Sequence, residues 1–176
     1  MQRLATFGNV LHGATLLTLF WSPIAMSQPP ATQVRTFHLD ATRTRVMPLF
    51  TALGERDWAP GWEPDILSGA GERGSAFRTR AADGRETVWT VVDYQPAQGR
   101  TSYARLAQGS NIGLVDVICT EPPGGGTDVS VRYTLTPLSA DGATFVERFL
   151  GANHYAAMIE EWRVATTAAL ARTVSQ

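Results

Sequence analysis

The sequence has few charged residues, a single cysteine and no recognisable metal or phosphate-binding motif, and each of these absences excludes a class of function. Only 18% of its 176 residues are charged and the formal net charge is −1, so no surface for nucleic acid or an anionic membrane is expected. It has no H-E-x-x-H, C-x-x-C or P-loop motif, so we assign no metal and no other cofactor. The single cysteine, Cys119, excludes an internal disulfide, and its apolar strand pattern predicts a small buried side chain.

No apolar run is long enough to indicate a transmembrane helix, but the N-terminal segment resembles an export signal. An apolar core from Ala14 to Trp21 is followed by small residues at Ala25–Ser27. This pattern predicts a signal peptide at residues 1–27, cleaved near Gln28, and a periplasmic or secreted protein without stable membrane insertion after cleavage. The alternative is a misassigned start codon, with Met26 as the first residue and a cytoplasmic product.

The length of the chain favours one domain that is large enough to bury a core. We predict a flexible N-terminal tail at residues 28–32, a single domain at residues 33–172 and a C-terminal tail at residues 173–176. Within the domain, Gln33–Asp40 alternates as a strand with His38 facing solvent, and Thr42–Leu53 has the apolar spacing of a short helix.

The middle of the chain alternates between short helical or strand patterns and turns. Glu55–Leu67 predicts a second short helix and a turn, because Pro-Gly stands between Trp58 and Trp62. Gly69–Gly74 formally spells G-x-G-x-x-G, but a strand pattern follows it where a dinucleotide site needs a helix, so we interpret it as a loop. About six strands follow, and Asp128–Leu138 alternates most clearly.

The last segment, from Gly142 to about Arg172, predicts one long helix that is apolar on two sides. Asp141 is the expected N-cap, and Gly151 is a position where the helix can bend. A meander of strands must bury one face, and this helix is the element long enough to cover it.

The element order and four sequence stretches resemble the SRPBCC (START/Bet v 1-like) superfamily, in its bacterial branch of polyketide cyclase/dehydrase-like and lipid-transport-like proteins. The stretches are Glu55-Arg-Asp-Trp-Ala-Pro-Gly-Trp62, Phe77-Arg-Thr79, Thr87-Val-Trp-Thr90 and Met158-Ile-Glu-Glu-Trp162. The resemblance spans Val34 to Leu170. It implies an α+β helix-grip fold: a seven-stranded antiparallel sheet wrapped around a long C-terminal helix, with two short helices after the first strand and a deep, mostly apolar cavity.

The cavity implied by the resemblance predicts binding or transport of a small hydrophobic ligand, such as a lipid, a polyketide or an aromatic compound. Eleven residues are expected to form its wall or mouth: Trp58, Trp62, Phe77, Trp89, Tyr103, Val131, Tyr133, Phe149, Tyr155, Ile159 and Trp162. Burial of apolar surface would drive this binding without a charged anchor.

Two alternatives remain open from the sequence. One is a cyclase or dehydratase that uses acid–base groups in the same cavity; the polar candidates are Asp57, Glu63, Asp93, Tyr103, Arg105, Asp116, Tyr133, His154 and Tyr155. None belongs to a recognisable motif, so no catalytic residue is assigned, and packing is the expected role of most. The other is an interaction protein with a large exposed apolar patch. Exposed strand edges are compatible with a monomer or a homodimer.

Overall fold

The structure of the protein is a computed structural model that describes residues 29–174. The predicted signal peptide, its cleavage site near Gln28 and the alternative start at Met26 all lie outside the described residues. Among the described residues, no helix is both long and apolar enough to cross a membrane.

The described chain forms seven strands and three α-helices. The strands are β1 (Ala31–Leu39), β2 (Asp65–Ser68), β3 (Ala76–Arg80), β4 (Glu86–Gln95), β5 (Arg100–Ala107), β6 (Asn111–Thr120) and β7 (Thr127–Pro137). The helices are α1 (Arg43–Val46), α2 (Ala140–Phe149) and α3 (Ala152–Val174), and short 3-10 helices occupy Met47–Phe50, Gly54–Asp57 and Pro96–Gln98. β1 begins inside the segment predicted as a flexible tail.

All seven strands belong to one antiparallel sheet in the order β1-β7-β6-β5-β4-β3-β2. Strands β2 to β7 form a meander, whereas β1 pairs with β7, placing Ala31 opposite Leu135 and Leu39 opposite Thr127. The expected α+β helix-grip arrangement, with a seven-stranded antiparallel sheet and short helices after the first strand, is confirmed.

The inner face of the sheet forms the core. On β7, Val129, Val131, Tyr133 and Leu135 alternate inward and are between 0% and 7% exposed. Cys119 lies on the same face of β6 and is buried, as predicted. This period of two, with one face dry, is the pattern that the sequence of β7 indicated.

The outer face of the sheet exposes several large apolar side chains. Val88, Leu106 and Ile112 are cross-strand neighbours on β4, β5 and β6, and they are 41%, 39% and 45% exposed. Leu114 and Ile118 on β6 are exposed as well. Such a surface is what the interaction-protein alternative expects, so that alternative retains one supporting observation.

The expected long C-terminal helix is present as the 23-residue α3, but the segment predicted as one helix from Gly142 to about Arg172 is divided into α2 and α3. The chain leaves helical geometry at Leu150 and Gly151, where glycine is unfavourable in a helix by about 1 kcal/mol relative to alanine. The N-cap of α2 is Ser139, whose Oγ accepts a 3.0 Å hydrogen bond from the backbone N–H of Gly142. Asp141, the expected N-cap, lies in the first turn of α2 instead.

The α-helix after β1 is also shorter than predicted. α1 spans one turn and gives way to the 3-10 helix at Met47–Phe50, because Pro48 cannot supply the N–H that an α-helix needs. Arg45 donates a 2.9 Å hydrogen bond to the backbone carbonyl of Leu170, which joins α1 to the far end of α3.

Candidate functional site

Two tryptophans fix the segment between α1 and β2 over the inner face of the sheet. The indole N–H of Trp58 donates a 2.7 Å hydrogen bond to the carbonyl of Leu49, and that of Trp62 donates one of 2.7 Å to the carbonyl of Ala52. These bonds fold the segment back on itself and turn both rings inward. The Trp58 ring packs edge-on against Trp162 of α3, with 5.1 Å between centroids.

The space between the sheet and α3, called here the central cavity, is small. Its volume is only about 20 Å³, which is room for about one water molecule. It is lined by Glu55, Trp62, Phe77, Trp89, Tyr103, Val115, Val117, Tyr133 and Trp162. Aromatic rings fill most of the interior: Trp89 stacks on Phe77 at 5.8 Å, and Trp62 meets Trp89 edge-on at 5.7 Å.

The eleven residues predicted for the cavity wall divide into two groups. Six line the central cavity: Trp62, Phe77, Trp89, Tyr103, Tyr133 and Trp162. The others pack in the core around it: Trp58, Val131, Phe149, Tyr155 and Ile159. The hydroxyl of Tyr155 donates a 3.0 Å hydrogen bond to the carbonyl of Val131, so this tyrosine joins α3 to β7.

Glu55 is the acidic residue that the sequence-based candidates omitted. It lies in the 3-10 helix Gly54–Asp57, is half-buried as a residue, and turns its carboxyl group towards the central cavity. Burial raises the pKa of this carboxyl from 4.5 to about 8. Among residues 29–174, no ion pair or hydrogen bond to the carboxylate offsets this desolvation.

A local signal could have indicated Glu55. Residues three apart eclipse each other in a 3-10 helix, so Glu55 lies on the same side as the buried Trp58. The acidic candidates chosen from sequence in this segment, Asp57 and Glu63, are both exposed.

The remaining polar candidates lie in more ordinary settings. Tyr103 lines the central cavity, but its hydroxyl donates a 2.7 Å hydrogen bond to the carbonyl of Phe50. Burial raises the pKa of Tyr103 and Tyr133 above the usual phenol range. The other candidates are hydrogen-bonded or exposed to solvent. Asp93 accepts hydrogen bonds from Gln95 and Arg100, Asp116 accepts one from Ser102, and His154 is exposed. Arg105 is buried, with its guanidinium over the Trp89 ring.

A second space, called here the side pocket, opens between the 3-10 helix Met47–Phe50 and strands β2 and β3. Its volume is about 270 Å³, and none of its lining residues is charged. They are Pro48, Thr51, Ala52, Leu53, Ile66, Ser68, Gly69, Ala70, Gly71, Ser75, Ala76, Phe77, Val91, Tyr94 and Tyr103. Since Phe77 and Tyr103 also line the central cavity, the two spaces adjoin.

The glycine-rich loop before β3 forms one wall of the side pocket. Ser75 Oγ accepts a 3.0 Å hydrogen bond from the N–H of Gly71, and the Glu72 carboxylate accepts one of 2.9 Å from the N–H of Ala70. The G-x-G-x-x-G sequence therefore forms a loop between β2 and β3 that is held by its own hydrogen bonds. The strand pattern that follows it in the sequence predicted such a loop. Among residues 29–174, no cluster of three or more His, Cys, Asp or Glu side chains could hold a metal ion.

These features define a helix-grip protein with an aromatic interior, an acidic residue inside it and an apolar pocket beside it. Residues 31–171 match the family model described as polyketide cyclase / dehydrase and lipid transport, and the chain belongs to this family, within the SRPBCC superfamily. No curated protein matches the chain.

Solved structures with the same fold are distant in sequence. Norcoclaurine synthase from Thalictrum flavum is 12% identical with a TM-score of 0.62, over 100% of this chain and 99% of that one. The Zhui aromatase/cyclase from Streptomyces sp. R1128 is 18% identical with a TM-score of 0.57, over 80% and 91%. An uncharacterized protein from Rhizobium leguminosarum is 19% identical with a TM-score of 0.54, over 81% and 95%. The structural likeness shows the fold, and the family supports a ligand-binding or cyclase-type role.

Proposed function

We propose that the protein binds a small, uncharged hydrophobic molecule in the side pocket. The observation that carries this proposal is an apolar space of about 270 Å³ without a charged lining residue. Ligand pockets in proteins commonly measure about 300–1,000 Å³, and this one lies just below that range, so it fits a molecule of up to three aromatic rings or a short acyl chain. Apolar area buried from water contributes about 25 cal/mol per Å² to binding.

The central cavity is the inner end of this site in the proposal. Its own volume holds about one water molecule, so a longer ligand requires the Trp62 ring to move. The edge-on contacts of Trp62 with Phe77 and Trp89 would change when it does. The ligand is expected to lie first against Phe77 and Tyr103, which both spaces share.

A fluorescent probe tests this proposal. N-phenyl-1-naphthylamine is uncharged, of suitable size, and brightens in apolar surroundings. Ala52→Phe, which fills the side pocket, should weaken probe binding by at least about tenfold. The matched control is Ala104→Phe on the outer face of β5, which leaves the pocket unchanged. Equal binding by wild type and both variants would place the probe elsewhere and refute the proposal.

A second candidate function, catalysis of a cyclase or dehydratase type, rests on Glu55. A carboxyl that titrates near pH 8 can take a proton from a carbon beside a carbonyl and return it to a departing hydroxyl, which leaves as water. The dehydration of a β-hydroxyketone that carries a phenyl group on its hydroxyl carbon yields a conjugated enone, which absorbs in the near ultraviolet. Its formation can therefore be followed directly.

The catalytic candidate predicts a specific pattern in two glutamate variants. Glu55→Gln should abolish enone formation while probe binding persists, and Glu63→Gln, the exposed glutamate of the same segment, should retain both. If wild-type protein does not exceed the buffer rate at any pH, or if Glu55→Gln is as active as wild type, the dehydratase assignment fails and the binding proposal stands alone.

A further inference from the structure

Two buried polar atoms among residues 29–174 lack a hydrogen-bond partner, and the residues that carry them line the same space. They are Nε of Arg105 and Oδ1 of Asn111. The space, called here the end pocket, has a volume of about 480 Å³ and lies between the β3–β4 turn, the β5–β6 turn and α2. Buried polar groups in folded proteins are almost always satisfied, so two orphans beside one pocket indicate that something polar belongs there.

The sheet register brings the two residues together on its inner face. Arg105 lies opposite Gly113 and Ala107 lies opposite Asn111, so Arg105 and Asn111 are diagonal neighbours on β5 and β6. They are 8% and 1% exposed. The amide Nδ2 of Asn111 donates a 2.9 Å hydrogen bond to Ser110 Oγ, which leaves its carbonyl oxygen without a donor.

Arg105 is a buried cation without a counterion among the described residues. Its guanidinium lies over the Trp89 ring, 5.2 Å from the centroid, and burial lowers its pKa. Glu86 also lines the end pocket, but its carboxylate pairs with Arg78 and Arg80. A buried charge is unfavourable unless it is paired, so the guanidinium is placed to receive an anion that enters from the pocket.

The rest of the end pocket suits an aromatic body. Phe145 of α2 forms part of the wall, and the guanidinium of Arg85 lies 6.0 Å from its ring centroid. The end pocket thus offers a buried cation, a buried acceptor and an aromatic surface, whereas the side pocket is uncharged. The two sites call for ligands of different chemistry.

We propose that the end pocket binds a small hydroxylated aromatic carboxylate. The carboxylate accepts charge-assisted hydrogen bonds from Arg105, the hydroxyl donates to Oδ1 of Asn111, and the ring packs against Phe145. This site does not depend on the proposed function, because it uses different residues and a different ligand charge.

Calorimetric titration with benzoate, the three hydroxybenzoate isomers and their methyl esters tests this assignment on the wild-type protein, with saturating N-phenyl-1-naphthylamine present so that the side pocket is occupied and cannot take up the uncharged esters. Benzoate should bind, at least one hydroxybenzoate should bind several-fold more tightly, and every ester should bind at least about tenfold more weakly than its acid. Esters that match their acids, or hydroxybenzoates that all match benzoate, would overturn the proposal. This comparison needs no variant and so does not depend on a variant folding.

Variants then assign the contacts. Arg105→Met should weaken hydroxybenzoate binding by at least about tenfold, while Arg132→Met, an exposed arginine on the outer face of β7, should not change it. Asn111→Ala should remove the advantage of hydroxybenzoate over benzoate. Ala52→Phe should leave hydroxybenzoate binding intact, and Arg105→Met should leave binding of N-phenyl-1-naphthylamine intact, so the two sites can fail separately. Unchanged hydroxybenzoate binding by Arg105→Met would refute the site.

Discussion

The hydroxyl of Tyr155 on α3 donates a hydrogen bond of 3.0 Å to the backbone carbonyl of Val131 on β7, and the Tyr155 side chain is fully buried. This bond spans the interface that defines the fold, between the helix and the sheet. The Tyr155 hydroxyl was one of the polar candidates of the enzyme alternative, and here it donates to the backbone. Tyr155 is therefore a structural residue in this arrangement, and the acidic side chain facing the interior is Glu55.

Tyr155→Phe should lower the free energy of unfolding by about 1 kcal/mol, because it removes one buried hydrogen bond and keeps the ring. Urea denaturation followed by circular dichroism measures this change. Tyr94→Phe is the matched control; no hydrogen bond of the Tyr94 hydroxyl occurs within residues 29–174, so its effect should stay within about 0.5 kcal/mol. Equal stability of Tyr155→Phe and wild type would contradict the structural role.

Glu55→Gln should change how stability depends on pH. The pKa of Glu55 is about 8 in the folded protein and near 4.5 when unfolded, so the folded state holds the extra proton between these values. The stabilisation is complete below about pH 4.5 and is lost as the pH rises towards 8, by at most about 1.4 kcal/mol per pH unit. The glutamine variant lacks this loss.

The measurement for Glu55 is urea denaturation of wild type and variant at several pH values from about 5 to 9. The stability of Glu55→Gln relative to wild type should increase as the pH rises. Glu63→Gln, at an exposed position, should follow wild type at each pH. Parallel curves for wild type and Glu55→Gln would show that the carboxyl is solvated.

Gly142→Ala should destabilise the protein although alanine favours helices. A Cβ at this position would lie 1.9 Å from the backbone carbonyl oxygen of Ser110, which also accepts a 2.7 Å hydrogen bond from Leu138. The steric overlap should cost about 1–3 kcal/mol, measured as a lower midpoint of thermal unfolding. Gly124→Ala is the control, since no atom beyond its two chain neighbours lies within 4 Å of the position that its Cβ would take. A more stable Gly142→Ala would mean that α2 can move away from the β5–β6 turn.

The thiol of Cys119 should be inert in the folded protein. The side chain is 1% exposed, so a reagent cannot reach it. Burial also raises its pKa to about 12, so very little of the thiol is ionised to the reactive thiolate at neutral pH. Ellman's reagent should react with about one thiol per chain only after urea is added. Fast stoichiometric reaction without urea would show that the core beneath β6 opens readily.

The fold was predictable because its main signals are local. The alternation of Val129, Val131 and Tyr133 predicted the inner face of β7. His38 was predicted to face solvent, and it is exposed, with its Nδ1 2.7 Å from Oδ1 of Asp128. The break between α2 and α3 was harder to predict from the sequence. Gly151 suggested only a bend, and two helical patterns on either side of it resemble one long pattern in sequence.

The candidate site was harder to predict because its members are distant in sequence. The desolvation of Glu55 comes from side chains such as Val115, Tyr133 and Trp162, which lie at least sixty residues away along the chain. The orphan pair at Arg105 and Asn111 becomes visible only when the register between β5 and β6 is known. Local patterns identified inward-facing aromatics but could not identify which polar groups remain unpaired.

The pairing of β1 with β7 affects how the chain assembles. During synthesis, β1 is the first strand to leave the ribosome and its partner β7 is the last. Ala31 therefore cannot pair with Leu135 until the whole sheet has been synthesised. The five successive hairpins from β2 to β7 can form meanwhile, since each joins neighbours in sequence. Non-local pairings of this kind slow folding, so closure of the β1 edge is expected to be a late event, during which the unpaired strand is open to chaperones.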